Sequence, residues 1–436
     1  MSIPIDRLYQ YIEQTIKHIY KEHVVIYRFW PHGSKKIENL TTLEYKPAVE
    51  SFMLYSKSFL IYCHDQEPLN YDLYENLEWA PNSTLTAISR RLGLYVEKNI
   101  EVRRSFYDRS ALIHSEARSQ NLKKYQQQFV TIYYWSHAVI ALDWFRFAQH
   151  LDQVKRTQRT FLIYNRAWGG SREYRLRFAD LLINHNLQNY CRTSIAATEP
   201  ELGIHYSQYE FKNPVWRPVV KLEDYFPPNI AASHYSADFD IADYNATDIE
   251  VVLETLFDDD RLHLTEKSLR PIACGQPFIL AATHGSLEYL RGYGFRTFSE
   301  VWNEDYDQIV DPQSRLCAVI EVMKQISQWD DVTRQQKMIQ AQSIADHNRR
   351  HFFSEDFFKT VVLELQDNIL QAVDTLQQTN TFSRWITKWQ QILDHPDPEL
   401  TEYLDNPNNV PNRLLVQHLM ELVKSKQTQI QSTKQQ

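Results

Sequence analysis

Glycine is scarce in this chain, with 9 in 436 residues, and none of them forms a G-x-G-x-x-G or G-x-x-x-x-G-K-[ST] pattern. The backbone cradles that bind dinucleotides and P-loop phosphates are therefore missing. Cysteine is scarce too. Cys63, Cys191, Cys274 and Cys317 are scattered with no C-x-x-C pair. Three of them stand in apolar surroundings, which points to reduced thiols rather than a disulfide or zinc framework, and to a cytoplasmic chain. No stretch approaches the ~20 apolar residues that a membrane span needs. The N-terminus lacks the apolar run of a signal peptide, so none is expected. Positive charge is not in excess: the formal net charge of −8 argues against a surface coated for non-specific nucleic-acid binding. A local basic groove remains compatible with that total.

Apolar and aromatic residues are plentiful, at 43% and 13%, so the chain can bury sizeable cores. Its length suits two domains plus extensions. The pattern predicts an N-terminal α/β domain over 1–150 and a second over 159–325. The polar run Gln149–Gln158 is read as the linker between them. Helices follow over 326–423, beginning with amphipathic runs at Arg315–Gln328, Val332–Phe352 and Glu355–Gln378. The tail 424–436 is Gln, Lys, Ser and Thr with little to bury and is expected to be disordered.

The most informative stretch is Asp248–Phe295. Ile249, Val251, Val252 and Leu253 read as a buried strand. After an acidic loop holding Asp258, Asp259 and Asp260, Thr265 caps a helix with Glu266 and Lys267 in its first turn. Gly275 stops that helix, and Phe278–Ala282 is a second strand before Gly285–Ser286 opens another helix. This is one βαβ unit, the building block of a parallel sheet. The free amides of the helix start favour an anion, a phosphate above all, with Lys267 adding full charge. Glu266 is suited to accept from neutral hydroxyls such as a ribose diol. The plainer alternative is that Thr265 and Glu266 cap the helix and Lys267 is solvated.

Three further stretches carry candidates. HDQEPLN leaves the carboxyl end of the apolar strand Ser58–Cys63, which places His64, Asp65 and Glu67 where α/β sheets bind ligands. A polar turn fixed by Pro68 is the alternative. YYWSHAVIALDWFRF is an aromatic helix with Trp135, His137 and Asp143. Its aromatic rings either wall a cleft or fill a core, and His137 is either a base or a structural histidine. NRAWGGSREYRLRF follows the strand Thr160–Tyr164. There Gly169 and Gly170 permit close backbone approach, and Ser171 is placed to cap a helix carrying Arg172, Arg175 and Arg177. An arginine fork suits a diphosphate, with Arg172 first and Arg166 next.

The T-E-K triplet, with the small residues, Gly-x-Pro and apolar strand that follow, resembles the donor-binding segment of fucosyltransferase-like GT-B glycosyltransferases. Glu254 holds the place of the glutamate that ends the preceding strand in that branch. The longer run TEKSLRPIACGQPFILAATHGSLEYLRGYGFRTF, followed by NEDYD, is similar to glycosyltransferases of tailed bacteriophages, some of which glycosylate modified cytosines in DNA. The resemblance implies a GT-B-like fold of two Rossmann-like domains facing a cleft. It implies a nucleotide-sugar donor, UDP- or GDP-linked, as co-substrate and no other cofactor. The donor side is then Asn165, Arg166, Arg172, Glu254, Thr265, Glu266 and Lys267. The acceptor side is Trp135, His137 and Asp143, with Asp65, Glu67 or His64 as catalytic base. It also implies 5-hydroxymethylcytosine in duplex DNA as acceptor, in the host cytoplasm, with the base flipped out to reach the site. Arg90–Arg91, Arg103–Arg104 and Lys123–Lys124 would then hold phosphates, or else be solvated faces. A glycan or protein acceptor, and a non-catalytic nucleotide- or nucleic-acid-binding protein, are the competing readings.

No D-x-D stands at a strand end, so no essential metal is expected and Arg and Lys side chains take its place. Transfer activity should persist in excess chelator. Its full loss, restored by manganese or magnesium, would point to Asp258–Asp260 as ligands.

Overall fold

A computed structural model describes residues 24–29, 59–64, 110–119, 122, 131–151, 154–165, 167–226 and 238–378. Asp65, Glu67, Arg166, the three basic pairs and the tail lie outside them, and of His64 only the backbone is described. The chain divides into two compact units. One comprises Tyr9–Ser115, Asn121–Trp135 and Glu364–Gln436. The other comprises Met1–Leu8, Glu116–Gln120 and Ser136–Leu363.

The fold class is α/β, with a parallel sheet in each unit. In the N-terminal sheet the strands β1 (Val24–Phe29), β2 (Phe59–His64), β3 (Ser110–His114) and β4 (Thr131–Tyr134) lie in the order β1-β2-β3-β4, all parallel. Strand β2 coincides with the apolar run Ser58–Cys63 expected from the sequence. The long C-terminal helix (Glu355–Gln378, α8 below) adds its last turns to this unit. Ala372 packs with Ala111 and Tyr133, and Asn368 donates to the carbonyl of Tyr134 at 2.7 Å.

The second sheet consists of β5 (Arg159–Asn165), β6 (Cys191–Ile195), β7 (Thr247–Leu253) and β8 (Phe278–Ala281), again parallel, in the order β6-β5-β7-β8. Its middle is dry: Phe161, Leu162, Ile163, Ile249, Val251, Ile279 and Leu280 are buried. Strand β6 did not stand out in the sequence, because Arg192, Thr193 and Ser194 break its apolar character. Around this sheet run α1 (Ala138–Trp144), α2 (Tyr174–Asn184), α3 (Ile241–Asn245), α4 (Glu266–Cys274) and α5 (Ser286–Gly292). Then come α6 (Pro312–Ser327), α7 (Asp331–Phe352) and the first half of α8 (Glu355–Gln378).

Two local expectations are corrected. Ser171 caps nothing; it sits in a 3-10 turn, Gly170–Arg172, and Glu173 precedes α2 without a side-chain cap. The run Trp216–Pro228, WRPVVKLEDYFPP, reads in the sequence as a strand plus a loop; its described part, to Phe226, shows no strand and holds the 3-10 turn Leu222–Asp224 just after another at Pro214–Trp216. The presumed linker is also firmly held. Lys155 donates through its ammonium to the carbonyls of Tyr244 and Thr247, both at 2.9 Å, and to Gln276. Burial lowers its ammonium pKa to about 8.

Helix α4 ends as the sequence indicates, on Gly275 at φ +67° and ψ +36°. A Cβ there would lie 3.0 Å from Cδ of Arg349, whose guanidinium is held by the carbonyls of Ala148, Gln149 and Leu151. The αL conformation is unfavourable for L side chains by about 1–2 kcal/mol. Gly275→Ala should therefore lower stability by at least that amount. Chemical denaturation followed by circular dichroism would measure it, and an unchanged midpoint would contradict the assigned conformation.

Candidate functional site

In the second sheet the chain leaves β5 for β6 on one side and later returns to β7 on the other. The order β6-β5-β7-β8 therefore changes direction between β5 and β7. Open α/β sheets bind ligands outside the carboxyl ends of the strands at such a point. Asn165 is the last residue of β5, and Glu254 directly follows β7. Two residues expected from the sequence on the donor side thus end neighbouring strands at the switch point.

Glu254 is completely buried and its carboxylate is saturated. Oε1 accepts from the amides of Thr265 at 2.9 Å and Ser268 at 3.2 Å and from the Ser268 hydroxyl at 2.6 Å. Oε2 accepts from the Thr265 hydroxyl at 2.8 Å and the Thr255 amide at 3.0 Å. Burial alone would raise its pKa. The charge of Lys267 and the hydrogen bonds from Ser268 and Thr265 outweigh that and hold it below the usual carboxylate range. The Thr265 hydroxyl, having donated to Glu254, accepts from the Lys267 amide and from Lys267 Nζ, both at 3.3 Å, which uses all three of its hydrogen-bonding positions. This corrects one expectation. The anion at the start of α4 is the chain's own Glu254, and it takes two of the amides assigned to a phosphate.

Lys267 and Glu266 form the outer layer. Lys267 Nζ lies 2.6 Å from Oε1 of Glu266, with the lysine side chain 15% exposed and the glutamate 6%. The other oxygen of Glu266 is 3.6 Å from Nε2 of His137. The imidazole meets Trp144 and His263 edge-on, with ring centroids 5.8 and 6.1 Å away. Burial lowers the pKa of His137 to about 4, against the opposing pull of Glu266, so near neutral pH its ring is uncharged.

The remaining candidates divide. Asn165 is buried, with Nδ2 3.5 Å from the Arg175 carbonyl and Oδ1 without a hydrogen bond. Arg172 is partly exposed and paired with Glu201 at 3.1 Å, its Nε donating to the Gly169 carbonyl at 3.3 Å. His137 was assigned to the acceptor side; it belongs to the same unit as α4 and lies against Glu266. Trp135 is 0% exposed, so it offers no face for a flipped base. Asp143 is buried on α1, 3.9 Å from Arg146. In the acidic loop, Asp258 accepts from the Trp216 indole at 3.0 Å and Asp259 pairs with Arg261 at 2.6 Å.

Arg175, which the sequence places on the same helix as Arg172 without a role of its own, is buried. Its guanidinium donates to the carbonyls of Ala167 at 2.6 Å, Leu253 at 2.5 Å and Glu254 at 3.2 Å. Tyr174 adds a bond to the Glu254 carbonyl at 2.7 Å. These two side chains join the carboxyl ends of β5 and β7. The one available signal was position: Arg175 stands between Tyr174 and Leu176, on a helix whose neighbours are nearly all apolar.

The buried imidazole makes the fold sensitive to pH. Its folded pKa of about 4 lies below the unfolded 6.5, so the unfolded chain binds the proton first. The stability contributed by neutral His137 is full above pH 6.5 and lost as pH falls toward about 4. The loss is on the order of 3 kcal/mol. Urea titrations across this range should show the decline in the native protein and a shallower one in His137→Asn. Equal slopes in the two proteins would contradict it.

No protein-family model matches the chain, and no curated protein sequence matches it. Among solved structures, a mutant of the T4 phage BGT in complex with UDP-glucose aligns with 83% of this chain and 86% of its own. The identity is 14% and the TM-score 0.36, a likeness too slight to carry an argument about fold or function.

Proposed function

We propose that this chain is a glycosyltransferase that takes its sugar from a nucleoside-diphosphate donor held at the switch point of the second sheet. One observation supports the reading most. The T-E-K segment, which resembles a donor-binding motif, starts its helix beside Glu254, and Glu254 and Asn165 end the two strands that flank the switch point. The motif therefore stands where α/β sheets bind ligands.

Glu254 is here a positioning residue. It holds Thr265 and Ser268, and so fixes the direction in which Glu266 and Lys267 leave the helix. Lys267 supplies charge to the departing diphosphate, exchanging its pairing with Glu266 for one with phosphate oxygens. Glu266, thereby released, accepts from a ribose hydroxyl, with His137 behind it as a neutral partner. Arg172 adds a second cation, since an exposed pair such as that with Glu201 holds by no more than about 1 kcal/mol. The base that takes the acceptor proton remains one of His64, Asp65 and Glu67. The acceptor that the resemblance implies is hydroxymethylcytosine in DNA.

Thermal stabilisation by a panel of UDP- and GDP-sugars tests the donor, since a ligand that binds the folded state raises apparent stability. Lys267→Ala should be less stable, because buried Glu254 and Glu266 lose their nearest cation, and while folded should bind the stabilising donor about tenfold more weakly or worse, from a lost charge-assisted contact of ~1.5–3 kcal/mol. Normal donor binding by that variant would remove Lys267 from the site. Transfer is then assayed on duplex DNA with and without hydroxymethylcytosine and on glycans, at low and moderate salt. Transfer to a glycan alone would end the DNA reading while leaving the donor assignment in place.

A further inference from the structure

Two loops follow the carboxyl ends of the neighbouring parallel strands β7 and β8, the edge at which an α/β sheet binds ligands. The first, 254–265, leads into α4 with Glu266 and Lys267. The second, 282–285, leads into α5. A short segment from earlier in the chain, Glu116–Ser119, lies against the first loop. Arg118 and Leu262 form an antiparallel bridge there. The Ala117 amide donates to the Leu262 carbonyl and the Leu262 amide to the Arg118 carbonyl, both at 2.8 Å.

From that anchored backbone the Arg118 side chain spans both loops. Nε donates to the Asp260 carbonyl at 2.9 Å in the first, and Nη2 to the His284 carbonyl at 2.6 Å in the second. A guanidinium holds its N–H groups in a rigid plane, so these two bonds fix the spacing of the loops. Nη1 lies over the start of α5, where a Cβ on Gly285 would approach it to 3.3 Å. Arg315 makes a second link, to the carbonyls of Ala282 at 3.0 Å and Phe257. The two arginines differ in exposure. Arg315 is sealed in the core at 1%, whereas Arg118 is partly exposed. The inner link is therefore part of the core, and the outer one lies at its edge.

The outer link stands close to the proposed donor site. Asp260 and Leu262 are five and three residues before Thr265, whose hydroxyl caps α4. Without Arg118 this stretch keeps its anchors at Phe257 and at Thr265, but loses its fixed distance to His284. His284 itself reports on the link. Its side chain is partly exposed, and burial, then the charges of Arg118 and Arg315, lower its pKa against the pull of Asp260.

We propose that Arg118 is a positioning residue for the donor site, coupling the loop that starts α4 to the loop that starts α5 so that a ligand meets both as one surface. The positioning role rests on the donor reading; the coupling does not. Hydrogen exchange read by mass spectrometry on the full chain tests the coupling without a ligand. In Arg118→Ala the amides of 258–265 and of 283–287 should both exchange faster, while those of β7 and β8 stay protected. Arg118→Lys keeps the charge but not the fork, and guards against misfolding of the alanine variant. It should loosen both loops yet leave the His284 pKa, followed by NMR, where it was, whereas Arg118→Ala should raise it. A UDP- or GDP-sugar that stabilises the native protein should bind both variants about three- to tenfold more weakly, as when loops must be ordered on binding. Millimolar guanidinium should restore part of that loss in Arg118→Ala alone. Faster exchange in one loop only, or in neither, would overturn the coupling. Coupled exchange with unchanged donor affinity would overturn the positioning role and leave the donor reading in place. If no nucleotide sugar binds the native protein, the donor reading and the positioning role fall together, and the exchange result still decides the coupling.

Discussion

The candidate site depends on where one buried negative charge is placed. The carboxylate of Glu254 has no exposure, and five hydrogen bonds converge on it from Thr255, Thr265 and Ser268. An ion withdrawn from water this fully is tolerable only when its lone pairs are met and an opposite charge is near, and Lys267 is near. The arrangement couples the end of β7 to the start of α4 across the acidic loop. It also neutralises the positive end of that helix from within. An anion brought to the start of α4 would therefore meet side-chain cations first and the helix dipole only weakly.

The same device recurs in this unit. Glu173 receives the amides of Lys212 and Asn213, Asp180 those of Val219 and Val220, and Glu199 those of Glu201 and Leu202. Asp307 receives the Leu287 amide at the start of α5. The long irregular segment from Glu199 to Phe226 has little regular structure to satisfy its backbone, and buried carboxylates take on that task. Buried arginines do the converse. Arg315 donates to the carbonyls of Ala282, Phe257, Ile309 and Val310, as Arg175 does to those at the ends of β5 and β7.

The legible parts of the sequence were those set by local chemistry. Thr265 before Glu266–Lys267, an apolar helix face and Gly275 beyond it define α4 without reference to any other segment. The apolar runs of β7 and β8 and the three long helices after residue 311 were equally plain. Partners distant along the chain were not legible. Nothing near Glu254 says that its carboxylate will face Ser268, nor near His137 that Glu266 will lie against it. Arg172 and Arg175 look alike in sequence, yet one is a partly exposed surface cation and the other is sealed under the strand ends. Strand β6 was hidden because its hydroxyl and charged residues carry no alternating apolar signal.

The bond pattern of Arg175 bears on the thermodynamics of ligand binding. A guanidinium that already joins Leu253, the last residue of β7, to Ala167, two residues past β5, makes the base of the proposed donor site part of the folded core. The conformational freedom of that base is lost once, when the chain folds, and is not lost again at each encounter with a ligand. In the donor complex proposed above, the ordering penalty of binding would fall on the side chains of Lys267 and Arg172. The temperature dependence of donor affinity would accordingly reflect the re-pairing of those two cations more than any movement of the sheet.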